Sequence, residues 1–355
     1  MKNIIYITNK EVPYKVEFFN QLSNYCNLKV IYENQKQNDR DEKWAKSVKN
    51  KFEYSYLYTN SRKRKISLKL IKYLFKQKNS IIIFGCINSP LQMFTFLLMR
   101  LFKKKYTLNL DGEYFNDEKS LKNKLKKYIL KNADHYLIAG EEATNHFKKV
   151  MNVDNITCYH FSSLTSKDTE LNKKNKNRLD SNKKILIVSR YVGFKGLDVL
   201  LQVAKKTPNY KYIFVGVGNS YNEFKEKVNS MKLKNIEIIS FLEKKELFKL
   251  YEECEIFVLP TLYECWGLVI NEAASFGIPI VSTKGSGAAV DFLLPNYKKY
   301  LAEPGSVEDL YNKIIDITKN NKEEYSKYLL KKSEEYTIER IVEDHMRWID
   351  KYEIG

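Results

Sequence analysis

Short apolar runs rich in Ile, Val, Leu, Phe and Tyr recur along the first half of the chain, at Ile4 to Thr8, Leu28 to Tyr32, Ser80 to Phe84, Tyr106 to Leu110 and His135 to Ala139. Each has the length of a strand and little alternation, as expected of strands covered on both faces. Helix-length segments separate them, which predicts βαβ units around a parallel sheet. A second series follows at Ile185 to Ser189, Tyr212 to Gly216, Ile236 to Ser240, Ile256 to Pro260 and Ile278 to Ser282. Between the two series, residues 165–183 are rich in Ser, Asn, Lys and Asp and nearly devoid of apolar residues after Leu171, which predicts a linker. The expected architecture is α/β, with one Rossmann-like domain over 1–164, the linker over 165–183 and a second Rossmann-like domain over 184–330. A helical tail over 331–355 offers Tyr336, Ile338, Ile341, Met346, Trp348 and Ile349 as residues that pack back on the first domain.

Length agrees with two domains, because 355 residues exceed what one hydrophobic core usually supports. With 43% hydrophobic and 29% charged residues, a chain that is mostly disordered or mostly embedded in lipid is excluded. The longest apolar stretch, Pro90 to Phe102, is interrupted by Gln92 and Arg100 and falls short of the ~20 residues needed to span a bilayer, so it predicts a packed helix. Met1-Lys2-Asn3 runs straight into the first strand without a signal-peptide pattern, and the five scattered cysteines form no C-x-x-C pair. Reduced thiols in the cytoplasm are expected. The net charge of +18 favours an anionic partner: a phosphate ester, a nucleic acid or an acidic membrane.

The most informative stretch is Pro260-Thr261-Leu262-Tyr263-Glu264-Cys265-Trp266-Gly267-Leu268-Val269-Ile270-Asn271-Glu272, where a buried strand ends at a proline and a helix begins near Gly267. Ligands of open α/β sheets bind at such carboxyl edges, where helix N-termini present free N–H groups to anions. The amides from Cys265, Trp266, Gly267, Leu268 and Val269 are the candidate donors. Glu264 in the loop and Glu272 on the helix could each accept hydrogen bonds from a vicinal diol, or be solvated helix-end acids. Upstream, the strand ending at Ser189 delivers Arg190 and then Lys195-Gly196, cations suited to a diphosphate or else ordinary surface charges. Gly216 and Gly218 end another strand, where they allow a ligand to approach or the chain to turn tightly. A third glycine at Tyr221 is missing, which counts against a nicotinamide or flavin enzyme.

From Lys184 to Asp291 the chain resembles the retaining, nucleotide-sugar-dependent glycosyltransferases of family 4, which have the GT-B fold: two Rossmann-like domains facing each other across a cleft, with a C-terminal helix crossing back to the first. The residues that carry the resemblance are Ser189-Arg190 with Lys195-Gly196, the Val-Gly-x-Gly turn, Glu264 and Glu272 as an E-x7-E pair, Gly277-Ile278-Pro279 and Gly285 to Asp291. Bacterial transferases that build capsule, O-antigen or exopolysaccharide units are the most similar kind. The resemblance implies that Arg190 and Lys195 hold the donor diphosphate, Glu272 the ribose hydroxyls and Glu264 the transferred sugar, while Phe241 and Leu242 line the base pocket. It implies no cofactor and no metal, positive groups stabilising the departing diphosphate instead. The first half is similar only in outline. Asn9 to Tyr14 replaces a glycine-rich loop and is expected to face the acceptor. Asp111-Gly112-Glu113 stands where many relatives carry a histidine, so Asp111 is a candidate sugar contact or simply part of an Asp-Gly turn.

From Arg62 to Lys105 the chain holds twelve basic residues and no acidic one. On a helix Lys65, Lys69, Lys72 and Lys76 share one stripe, and Lys124, Lys127 and Lys131 repeat the arrangement beside Leu121, Leu125 and Tyr128. Either these are solvated faces, or the acceptor domain sits on the anionic cytoplasmic leaflet and receives a lipid-linked glycan. Two other classes of protein fit parts of the sequence: a basic nucleic-acid-binding protein, and a non-catalytic sugar-nucleotide binder.

Overall fold

Every strand pairing in the first sheet is parallel. The computed structural model describes residues 1–34, 48–58, 68–87, 89–111, 121–174 and 183–352, and the chain divides into two units, Met1–Phe161 with Ile338–Gly355, and Ser162–Thr337. In the first, strands β1 (Asn3–Lys10), β2 (Asn27–Asn34), β3 (Glu53–Tyr58), β4 (Ser80–Phe84), β5 (Thr107–Leu110), β6 (His135–Ala139) and β7 (Ile156–Tyr159) are ordered β3-β2-β1-β4-β5-β6-β7. The order reverses between β1 and β4, which opens a crevice at their carboxyl ends. Ile4 to Ile7 and Ile81 to Phe84 are all buried, which is why these central strands read as unbroken apolar runs. Strands β3 and β7 were not anticipated. Both are edge strands, and β3 is covered so thinly that Tyr54 stays exposed, so neither carries an apolar run.

The apolar stretch after β4 is the helix Pro90–Leu101, capped by the Ser89 hydroxyl, which accepts from the Gln92 amide at 3.2 Å. Its Leu91, Phe96 and Met99 join the same core as Leu70 and Leu74 of the helix Leu68–Lys76. No helix among the described residues is long and apolar enough to cross a membrane. The C-terminal helix belongs to the first unit as expected, but it begins at Ile338, not at 331. Buried Asp344 accepts from the His160 amide at 3.0 Å and pairs with its ring at 2.8 Å, and Trp348 stacks on His135. Met346, one of the expected packing residues, is only half-buried, whereas His345, unremarked in the sequence, is fully buried.

The second sheet is also parallel, with β8 (Lys184–Val188), β9 (Lys211–Val215), β10 (Ile236–Ile239), β11 (Ile256–Leu259), β12 (Ile280–Thr283) and β13 (Leu301–Ala302) ordered β10-β9-β8-β11-β12-β13. Its order reverses between β8 and β11. The two-residue β13 carried no sequence signal. The segment expected to be a linker is different: Ser166–Lys174 is a helix of the second unit, with Thr169 and Asn172 buried and Asn172 donating to the Ser275 hydroxyl at 2.8 Å. Polar side chains with buried partners replaced the apolar stripe by which such a helix is usually recognised. Of the expected linker, residues 175–182 lie outside the described residues.

Candidate functional site

At the carboxyl edge of the second sheet the loops after β8 and β11 are zipped together. The Phe194 carbonyl accepts from the Leu262 amide at 2.8 Å and the Thr261 hydroxyl at 3.2 Å. Gly196 has φ +64°, and a Cβ there would stand 2.1 Å from the Pro260 carbonyl oxygen. Only glycine permits this approach. The consequence is that buried Lys195 meets Glu264, the ammonium and carboxylate being in direct contact. Burial, and then the Arg190 guanidinium, press the Lys195 ammonium down to about 8, and Glu264 supplies the counter-charge. Glu264 is itself held by its backbone: its amide donates to the Gly285 carbonyl at 2.8 Å, and its carbonyl accepts from the Gly287 amide at 3.3 Å.

The loop after β9 packs against the loop after β8, Tyr191 donating its amide to the Val217 carbonyl and accepting from the Ser220 amide. A Cβ at Gly216 would fall 1.9 Å from the Ser189 carbonyl oxygen, and one at Gly218 within 2.8 Å of three Tyr191 backbone atoms. Both glycines therefore serve loop-on-loop packing. Phe241 and Leu242 stand half-buried just past the carboxyl end of β10, on the same edge of the sheet.

Past Glu264 the chain turns through Gly267 (φ +105°) into the helix Leu268–Ser275. In the first turn the Ile270 amide donates to the Gly267 carbonyl at 2.8 Å, and the half-buried Leu268 and Val269 precede it at the helix N-terminus, where backbone N–H groups point out of the helix and suit an anion. The Trp266 side chain does not face a ligand: its indole N–H donates to Asn271 Oδ1 at 2.9 Å and its ring is buried against Tyr336. Cys265 is half-buried with its sulfur 3.5 Å from the Tyr263 hydroxyl, and none of the five cysteines is in a disulfide. Glu272 is not a solvated helix-end acid. It accepts from the Tyr251 hydroxyl at 3.0 Å, and burial pushes its carboxyl up to about 7 against the pull of Tyr251 and Lys244. Lys244 in turn pairs with Asp168 at 2.8 Å. Tyr251, Lys244 and Asp168 carried no motif, and only packing of three helices reveals them. Also missed were Phe194, Leu262 and Tyr263, which leave large apolar surfaces exposed in the loops that carry Lys195 and Glu264.

Residues 168–335 match the family model described as glycosyl transferases group 1. The match spans nearly all of the second unit, Ser162–Thr337. An uncharacterized glycosyltransferase of Haemophilus influenzae is 27% identical over 274 residues, 74% of each chain. Among solved structures, sucrose-phosphate synthase of Thermosynechococcus elongatus superposes with a TM-score of 0.73 at 15% identity, over 99% of each chain. Anabaena Alr3699/HepE, in complex with UDP and glucose, gives 0.72 at 13% identity over 99% of this chain and 100% of that one. The two parallel sheets with their helices are thus the GT-B fold, and Arg190, Lys195, Glu264 and Glu272 all lie within the matched residues.

In the first unit Asp111 follows β5 and is more than a turn residue. Its carboxylate pairs with Lys15 at 2.9 Å and accepts from the Tyr159 hydroxyl at 2.7 Å. Asp111 holds the buried Lys15 ammonium above its ordinary range despite desolvation. Beside it lies a cavity of about 20 Å³, room for one water, lined in part by Tyr6, Tyr14, Asn109 and His345. Burial pushes His345 down to about 4, so it is neutral at pH 7. Gly112 and Glu113 lie outside the described residues. Among the described residues no three His, Cys, Asp or Glu side chains are grouped to hold a metal.

Proposed function

We propose that this protein is a retaining glycosyltransferase of family 4 that moves a sugar from a nucleoside-diphosphate-sugar donor to a lipid-linked glycan in cell-surface polysaccharide assembly. The observation that carries the reading is the contact of Lys195 with Glu264 at the reversal of strand order between β8 and β11, within the glycosyl transferase domain. A buried cation there, with Arg190 nearby and a helix N-terminus following, is suited to a diphosphate.

In this reading Arg190, Lys195 and the amides from Cys265 to Val269 take the diphosphate and stabilise its negative charge as the glycosidic bond breaks, in place of a metal. Glu272 takes the ribose hydroxyls, Phe241 and Leu242 flank the base, and Glu264 and Asp111 act on the transferred sugar. Glu264 then has two partners in turn. Before the donor binds it neutralises Lys195; with donor bound, the phosphate takes over that role and the carboxylate is released to accept from sugar hydroxyls. The acceptor enters on the side of the first unit, at the cytoplasmic face of the membrane.

Thermal unfolding of the purified protein with UDP, GDP, dTDP, CMP and their sugar conjugates tests the donor reading, because a ligand at ~100 times its dissociation constant adds about 2.7 kcal/mol of stability. A base-selective rise in Tm, lost in Glu272→Ala, is expected. No response to any nucleotide or conjugate would sink it.

A further inference from the structure

Three helices on one face of the first sheet, Leu68–Lys76, Pro90–Leu101 and Leu121–Leu130, carry no Asp or Glu between them. Lys69, Lys72 and Lys76 are exposed along the first, although Lys65 and Ile66 of the expected stripe lie outside the described residues. The helices adjoin one another. The Phe75 and Phe102 rings meet edge to face at 5.4 Å, and the Arg100 guanidinium lies 3.6 Å from the centre of the Tyr128 ring while donating to the Tyr128 carbonyl at 2.9 Å.

The same face exposes large apolar side chains where a solvated helix would not. Leu101 is 66% exposed, Phe102 69%, Leu125 59% and Tyr128 56%, with Leu97 one turn before Leu101 also exposed. They alternate with Arg100, Lys103, Lys124 and Lys127. Apolar groups on a protein surface mark an interaction site, and a surround formed, among the described residues of these helices, by cations and no acids selects an anionic partner with an apolar interior. A nucleic acid would satisfy the charge but gives aliphatic Leu97, Leu101 and Leu125 nothing to enter. An anionic bilayer satisfies both.

Resting on the reading of the acceptor as membrane-borne, we propose that Leu97, Leu101, Phe102, Leu125 and Tyr128 insert among the acyl chains of an anionic bilayer while the surrounding lysines and Arg100 hold the headgroups. The lysine stripe on the helix Leu68–Lys76 is then an electrostatic flank, and the insertion point is the pair of helices after β4 and β5. Insertion makes part of the binding resistant to salt, which purely ionic docking is not.

The test is co-sedimentation of the full chain with phosphatidylcholine vesicles, with and without phosphatidylglycerol, at low salt and at about 1 M, where charges are screened beyond ~3 Å. Binding that needs phosphatidylglycerol but survives in part at high salt is expected. Leu101→Ser with Leu125→Ser should abolish the salt-resistant part and lower low-salt binding by about tenfold or more, whereas Leu171→Ser, at a leucine of the second unit that is 50% exposed, should not. In Leu125→Trp, indole emission should shift to the blue on adding anionic vesicles. An unchanged Tm response of the double variant to nucleotides separates failure here from failure of the donor reading. Equal binding by wild type and double variant, absence of vesicle binding, displacement of vesicles by RNA, or a dimer dispersed by the same substitutions would each overturn the proposal.

Discussion

Lys195 and Glu264, from loops after adjacent strands, neutralise each other at the carboxyl edge of the second sheet. A nucleoside diphosphate must therefore displace the Glu264 carboxylate before it reaches the ammonium. With UDP standing for whichever nucleoside diphosphate raises the Tm, Glu264→Gln is expected to leave its affinity unchanged or tighten it by a few-fold, while transfer falls about a hundredfold, the usual scale for losing one positioned group. Lys195→Met should weaken UDP by about tenfold to a hundredfold, since a charged hydrogen bond is worth roughly 1.5–3 kcal/mol. Calorimetric titration of both variants decides: equal loss of UDP affinity in the two removes the displacement step.

Glu272 gives the site a pH dependence whose sign is fixed by burial. Its carboxyl titrates at about 7 when folded, above the ordinary 4.5, facing Tyr251, with Lys244 and Asp168 nearby. Between these values the folded protein holds a proton the unfolded chain has released, so stability falls as pH rises through that window, by at most about 3 kcal/mol. Glu272→Gln should flatten this fall. Only the carboxylate accepts two hydroxyl hydrogen bonds, so UDP affinity should rise from pH 6 to pH 8, and the variant, which shares the titration of the ligand's own phosphate, should lack the extra rise. Parallel slopes in both proteins would count against the ribose role.

Much of this was legible in the sequence where one interaction dominates. Central strands such as Ile81 to Phe84 are buried on both faces and announce themselves as apolar runs, whereas edge strands β3 and β7 do not. The helix Ser166–Lys174 read as a linker because Thr169 and Asn172 pack through polar partners, which hydropathy does not register. Of the candidate site residues, Arg190, Lys195, Glu264 and Glu272 stand out in the sequence by their places in loops after strands and along one helix. What they touch was not readable: Tyr251 lies 21 positions before Glu272 and Lys15 lies 96 before Asp111, and only the fold brings such residues together.

Gly196 and Gly193 flank Lys195 closely and should respond oppositely to alanine. A Cβ at Gly196 would sit 2.1 Å from the Pro260 carbonyl in a left-handed conformation, while one at Gly193 meets nothing within 4 Å. Gly196→Ala is expected to cost about 2 kcal/mol or more and to abolish the thermal response to UDP, because the loops that carry Lys195 and Glu264 must separate. Gly193→Ala should stay within about 0.5 kcal/mol of the parent. Chemical denaturation of the two proteins measures both, and similar stabilities would show that the close approach to Pro260 does not hold the site.

Asp111 combines a structural task with its proposed contact to the transferred sugar, and the two separate in a double-mutant cycle. Asp111→Asn leaves the buried Lys15 ammonium without a full counter-charge, for a loss of about 2–4 kcal/mol. Adding Lys15→Met removes the orphaned charge and should return most of that stability. Transfer should remain impaired in the stable double variant, with the Tm response to UDP unchanged, because the proposed nucleotide contacts all lie in the second unit. Recovery of transfer together with stability would reduce Asp111 to the counter-ion of Lys15 and retire its contact with the sugar.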